Sequence, residues 1–181
     1  MDYLNILEEV IERPEALAAA EAPAELGRAG LAGYALGTLG IFTFLRLQSA
    51  VPPGVMSFLM VLFFVLAGNL LLAAITHLFM DLTDARGSAA RLFLAFGYTD
   101  YFFTLLVPAG FFVRLGYLGA FFSCCLCLAI VLYARIGLVR KLYPVSANKA
   151  ALSVGVPYAG FFTLGMFAFV YGLAWLIWLL I

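Results

Sequence analysis

Apolar residues run along this 181-residue chain in five long blocks, and the charged residues fall almost entirely between them. An α-helix rises ~1.5 Å per residue, so crossing a ~30 Å hydrocarbon layer takes roughly 20 apolar residues. The pattern predicts five membrane-spanning helices, near 29–46, 55–80, 92–113, 115–135 and 152–181. Arg46 and the Pro52-Pro53-Gly54 turn separate the first two, and a polar loop with Asp81, Asp84, Arg86 and Arg91 precedes the third. Arg114 alone divides the third from the fourth, which predicts a tight helical hairpin. A basic connector from Arg135 to Lys149 leads to the fifth, whose start Gly155 and Pro157 are expected to break and whose end carries Trp175 and Trp178 for an interfacial belt.

Before the first span, Leu4, Leu7 and Ile11 share a helical face beside Glu8, Glu9 and Glu12, until Pro14 interrupts them. Residues 1–28 read as a short amphipathic, acidic segment lying at the inner membrane face, with binding to a protein partner left open.

Composition sharpens the class. With 66% apolar and 11% charged residues, the chain cannot cover its apolar surface in water. The expected fold is all-α, a polytopic helical bundle forming a single transmembrane domain over 29–181, with the lipid bilayer as its main partner. Net charge is zero but unevenly spread: residues 1–28 hold seven acids and two arginines, the remainder three acids and eight bases. Cytoplasmic flanks collect Lys and Arg. Arg13, Arg28, Arg86, Arg91, Arg135, Arg140, Lys141 and Lys149 would lie on one side and only Arg46 and Arg114 on the other, which predicts a cytoplasmic N-terminus and an external C-terminus. Nothing in this charge pattern points to nucleic acid.

Helices in lipid pack where small residues let backbones approach. Gly30, Gly33, Gly37 and Gly40 form such a face in the first span, Gly116, Gly119, Ser123 and Cys127 in the fourth, and Gly165, Ala168 and Gly172 in the fifth. Contacts within the chain explain these faces more simply than a dimer seam. Cys124, Cys125 and Cys127 have no polar or basic support for a thiolate or a metal, so they read as packing residues. No cofactor or metal is expected.

Asp100 is the clearest anomaly, because a central Asp costs roughly 2.5–3.5 kcal/mol on membrane-insertion scales. Counted by helix rise from the inner boundary, Asp100 lies ~14 Å deep and Asn69 ~18 Å deep, within reach of a shared level. Asn69, Thr76 and His77 on the second span and Tyr98, Thr99, Asp100 and Thr104 on the third therefore define a candidate polar seam. In one reading Asp100 titrates and His77 relays protons. In the other the seam is packing glue. No hydrolase, phosphate-loop, zinc-protease or redox motif occurs, and no enzymatic role is expected.

Several short motifs, taken in order, resemble the Ypt-interacting-protein (Yip) domain family. They are Pro14 followed by Glu15-Ala16-Leu17; Ile75-Thr76-His77-Leu78; Gly87-Ser88; Phe96-Gly97-Tyr98-Thr99 with Pro108 beyond; and the connector from Val145 to Leu152. The resemblance implies a five-span fold with a cytoplasmic N-terminus. In eukaryotes the family is linked to small Rab-type GTPases and to the shaping of Golgi and endoplasmic-reticulum membranes. This chain lacks the long N-terminal region of those proteins and carries Asp100 where the family's third span is usually uncharged. It looks like the compact prokaryotic branch, which implies a prokaryotic inner membrane and does not bring a GTPase partner with it. The expectation is a non-enzymatic scaffold or a protein- or lipid-interaction protein, with a protein partner or homo-oligomer left open. The alternative is a small transporter, channel or lipid-handling protein working through Asp100, Asn69 and His77.

Overall fold

The computed structural model describes residues 23–85 and 87–180. The expected amphipathic helix around Leu4 to Ile11 lies outside the described residues. The helices are α1 (Pro23–Leu47), α2 (Val55–Asp81), α3 (Ala89–Asp100), α4 (Leu106–Arg114), α5 (Ala120–Leu142) and α6 (Ala147–Leu180), with a 3₁₀ segment, Tyr101–Leu105, joining α3 to α4. α3, the 3₁₀ turn and α4 together make one span, so five helices are long and apolar enough to cross a membrane. The protein is an all-helical multi-pass membrane bundle, and no strand occurs among the described residues.

Helix ends follow backbone chemistry. Three helices stop on the same device, a residue with positive φ followed by a six-to-one hydrogen bond back into the last turn. At Ser49 (φ 57°), Ala50 N–H reaches the Leu45 carbonyl; at Asp84 (φ 59°), Ala85 N–H reaches Met80; at Gly116 (φ 80°), Tyr117 N–H reaches Phe112. This is the Schellman closure, which uses a left-handed residue to satisfy orphan carbonyls. It corrects one expectation. Gly116 and Gly119 lie in the turn before α5, where Gly116 is a helix stop and Gly119 an N-cap, and neither packs against another helix.

The first and third spans run parallel in backbone contact. A Cβ on Gly30 would collide with the backbone of Leu94, on Gly33 with Gly97, on Gly37 with Asp100, and on Gly40 with Phe103 and Thr104. Gly97 reciprocates, meeting the Gly30 carbonyl. Spacings of three and four keep all four glycines on one helix face, so side-chain-free contact persists for three turns. Gly37 has a particular consequence: it lets the first span close directly over the backbone of Asp100.

The third span changes pitch just after Asp100. Pro108 supplies no N–H and its ring crowds the carbonyl four residues earlier, so the preceding turn tightens to 3₁₀ geometry. α6, by contrast, is continuous through Pro157, which corrects the expectation of a broken fifth span. The Ser153 carbonyl that Pro157 leaves without an amide accepts instead from Thr76 Oγ1 on α2, at 3.2 Å. α6 buries Ala150, Ser153, Val154 and Pro157, and beyond Tyr158 its side chains are exposed. A Cβ on Gly165 or Gly172 would accordingly meet open space, and Ala168 between them is exposed.

Two apolar clusters hold the bundle. One joins Ala73, Met80, Leu92, Phe96, Val139, Tyr143 and Val154 across four spans; the other joins Phe44, Leu106 and Cys127. A polar cluster lies among these apolar layers.

Candidate functional site

Each contributor to this polar cluster arrives on the buried face of its helix. On α2, Asn69, Ala73, Thr76 and Met80 recur every three or four residues and are all buried. On α5, Ser123, Cys127, Val131 and Arg135 recur every four residues and are buried too. Extending the small-residue face of the fourth span by two turns therefore carries Arg135 into the interior. It is 1% exposed, and Asp100, on α3, is 0% exposed.

Arg135 is the hub. Its Nη2 donates to Asp100 Oδ1 at 2.5 Å and to Asn69 Oδ1 at 2.5 Å, its Nε donates to Thr99 Oγ1 at 3.0 Å, and its Nη1 donates to the Tyr158 hydroxyl. The guanidinium lies over the Phe96 ring, 4.3 Å from its centroid. Asp100 Oδ2 accepts from Asn69 Nδ2 at 2.9 Å, and the same amide nitrogen donates to the Val65 carbonyl at 2.9 Å. The Thr99 hydroxyl donates a hydrogen bond to the Phe96 carbonyl at 2.7 Å while accepting one from Arg135. One cation, one anion and three neutral side chains thus close a knot that ties α2, α3, α5 and α6 together.

The electrostatics favour a locked pair. An intramembrane charge is tolerated where it faces the bundle interior and finds a partner. A buried ion pair persists when extra hydrogen bonds satisfy its remaining donors and lone pairs. Both oxygens of Asp100 are engaged, and so are all three guanidinium nitrogens. The fork of Arg suits this role, since a Lys ammonium cannot present donors in three in-plane directions at once.

The seam expected between the second and third spans divides. Asn69, Thr99 and Asp100 meet, as their depths and faces allowed. Thr76 is spent on the Ser153 carbonyl of α6. His77, one residue and about 100° further round α2, faces away from Asp100; its Nδ1 hydrogen-bonds the Tyr143 hydroxyl at 2.7 Å near the end of the bundle. The relay from His77 to Asp100 is therefore not built. Tyr98 is buried and sets its ring edge-on to Tyr101, while Thr104 donates to the Tyr101 carbonyl in its own turn at 2.7 Å. Ser123 bonds the Gly119 carbonyl, and Cys127 donates to the Phe102 carbonyl at 3.3 Å.

Arg135 and Tyr158 are the members that sequence reasoning missed. Arg135 reads as the first residue of the basic connector and, by sequence, belongs to the inner flank. Its i, i+4 register with Ser123 and Cys127, and the need of Asp100 for a counter-charge, were the available signals. Removing it from the flank leaves seven basic residues on that side against two, so the asymmetry survives.

At the bundle end that carries most of the basic residues, Tyr143 caps α5 and is 2% exposed. A Cβ on Gly87 would strike its ring, so the glycine lets the loop lie flat on it. The Tyr143 phenol is pushed up to about 12, first by burial and then by the nearby Asp81 carboxylate. No three His, Cys, Asp or Glu side chains among the described residues converge as a metal site would require. Comparison with family models, with curated proteins and with solved structures finds no match to this chain.

Proposed function

We propose that the chain is a compact Yip-like membrane scaffold, a non-enzymatic protein whose bundle presents fixed surfaces to partners or lipids. It sits in a prokaryotic inner membrane with its N-terminus in the cytoplasm. The observation that carries this reading is the closure of the knot. The polar groups that a transport site would offer to a substrate or a proton, Asp100, Arg135 and Asn69, are spent on one another across four helices. The five-span layout and the ordered motifs from Ile75 to Leu152 support the family assignment.

One feature favours a second reading, a small transporter: the 3₁₀ turn begins directly after Asp100, and mid-helix 3₁₀ stretches often mark hinges. Two measurements separate the readings. Photocrosslinking from the exposed faces in native membranes is expected to recover a protein partner or an oligomer, and recovering neither counts against the scaffold. Reconstituted liposomes are expected to leak protons, ions and lipids no faster than empty ones. Flux above that of empty liposomes that disappears in Asp100→Asn, while the reconstituted variant keeps its helicity by circular dichroism, would establish the transporter instead.

A further inference from the structure

Where α2 ends and α6 begins, a cleft of about 420 Å³ opens between Asp84, Ala85, Tyr143, Pro144, Val145 and Lys149. Its position follows from the helix ends. The left-handed turn at Asp84 closes α2, and Asp84 lines the cleft together with Tyr143, Pro144 and Val145 of the α5–α6 connector. Lys149 comes from the first turn of α6, and its Nζ donates to the Thr83 carbonyl at 2.6 Å, which fixes the ammonium at the cleft wall. An ammonium has three donors, so two remain for a ligand. The floor is rigid, because the Tyr143 ring is wedged under Gly87 and its hydroxyl is held by His77.

Two opposite charges share this cleft without pairing. Among the described residues the one ion pair within 4.0 Å is that of Arg135 and Asp100, so Asp84 and Lys149 face the cleft separately. A cleft lined by both an anion and an unpaired cation is complementary to a ligand that carries both charges. At the end of a membrane bundle, where apolar spans give way to polar loops, the matching chemistry is a phosphate joined to a primary ammonium.

We propose that this cleft binds a phosphate–ammonium zwitterion of the phosphoethanolamine type, with the phosphate on Lys149 and the ammonium on Asp84. An anionic phosphoglycerol lipid would bring Asp84 neutral hydroxyls in place of a counter-charge. A quaternary ammonium would offer Asp84 no N–H to accept. The site rests on the membrane architecture alone and stands or falls separately from the scaffold reading.

The test is lipid titration of the detergent-solubilised full chain, read by native mass spectrometry. Phosphatidylethanolamine, phosphatidylcholine and phosphatidylglycerol of matched chains are compared, with free phosphoethanolamine as a fourth arm. A charge-assisted hydrogen bond at a part-exposed site predicts a preference of about five- to tenfold for the ethanolamine headgroup. Asp84→Asn keeps a side chain that tolerates the left-handed backbone and is expected to abolish that preference while the protein stays folded by circular dichroism. Lys149→Met is expected to weaken every phosphate ligand, and Lys149→Arg to retain binding. Binding by the lipid but not by free phosphoethanolamine would identify the source as the bilayer, and the converse a soluble metabolite; either supports the site. Equal or tighter binding of phosphatidylglycerol, or an unchanged preference in Asp84→Asn, would overturn it.

Discussion

Replacing Arg135 by Met is the most informative single perturbation of this protein. Met fills a similar volume but removes four hydrogen bonds, to Asp100, Asn69, Thr99 and Tyr158, together with the stacking on Phe96. Interhelical hydrogen bonds in membrane proteins average ~0.6 kcal/mol, which sets a floor of about 2 kcal/mol. Leaving Asp100 buried without its counter-charge raises the expected loss to about 3–5 kcal/mol. Asp100→Asn strands the guanidinium instead and is expected to cost a similar amount. The double variant has no buried charge, so its loss should fall short of the sum of the two single losses by about 2–4 kcal/mol. Unfolding in mixed micelles of mild and denaturing detergent, followed by helicity, measures all three. Additive losses, or single losses below about 1 kcal/mol, would refute the reasoning and mean that Arg135 and Asp100 do not meet in a dry interior.

Gly37→Val inserts a branched side chain against the backbone of Asp100, and the first and third spans must part; a loss of at least about 1–3 kcal/mol in the same unfolding assay is expected, while Gly165→Val on the exposed half of α6 changes stability little. Thr76→Val should cost about 1 kcal/mol in the natural chain but almost nothing in a Pro157→Ala background, where an amide returns to satisfy the Ser153 carbonyl. Tyr143 gives a pH signature. Its folded pKa of about 12 lies above the ordinary phenol value of 10.0, so its contribution to stability is complete below pH 10 and is lost as pH rises toward 12. The slope of stability against pH in that window is expected to flatten in Tyr143→Phe.

Much of this architecture was legible because lipid imposes a simple rule on sequence. The five spans follow from uninterrupted apolar length, and the packing face of the first span from four glycines on one side of the helix. A glycine stripe does not name its partner, and only the folded chain shows that partner to be the third span. Asn69 and Asp100 met because depth along a helix is arithmetic. The misreadings share a different cause: a residue's meaning changed with its partner. Arg135 reads as a flank residue until Asp100 is seen opposite it. Pro157 reads as a break until Thr76 supplies the missing donor. Gly116 reads as a packing glycine until its positive φ identifies a helix stop. His77 lay one residue off the buried face, a difference of 100° that spacing arguments tolerate too readily.

The knot also constrains how the protein is made. Its members are strung from Asn69 to Tyr158, so it cannot close until that whole stretch has left the ribosome. At synthesis rates of about 5–20 residues per second, roughly 4–18 s separate the two ends. During that interval Asp100 has been delivered toward the membrane while Arg135 is still being synthesised. The third span must therefore be sheltered, by the insertion machinery or by the first span whose glycines already fit it, until the fourth arrives. Mutations that slow the release of the fourth and fifth spans should then impair yield without touching the finished protein, a fault of assembly timing and not of the folded state.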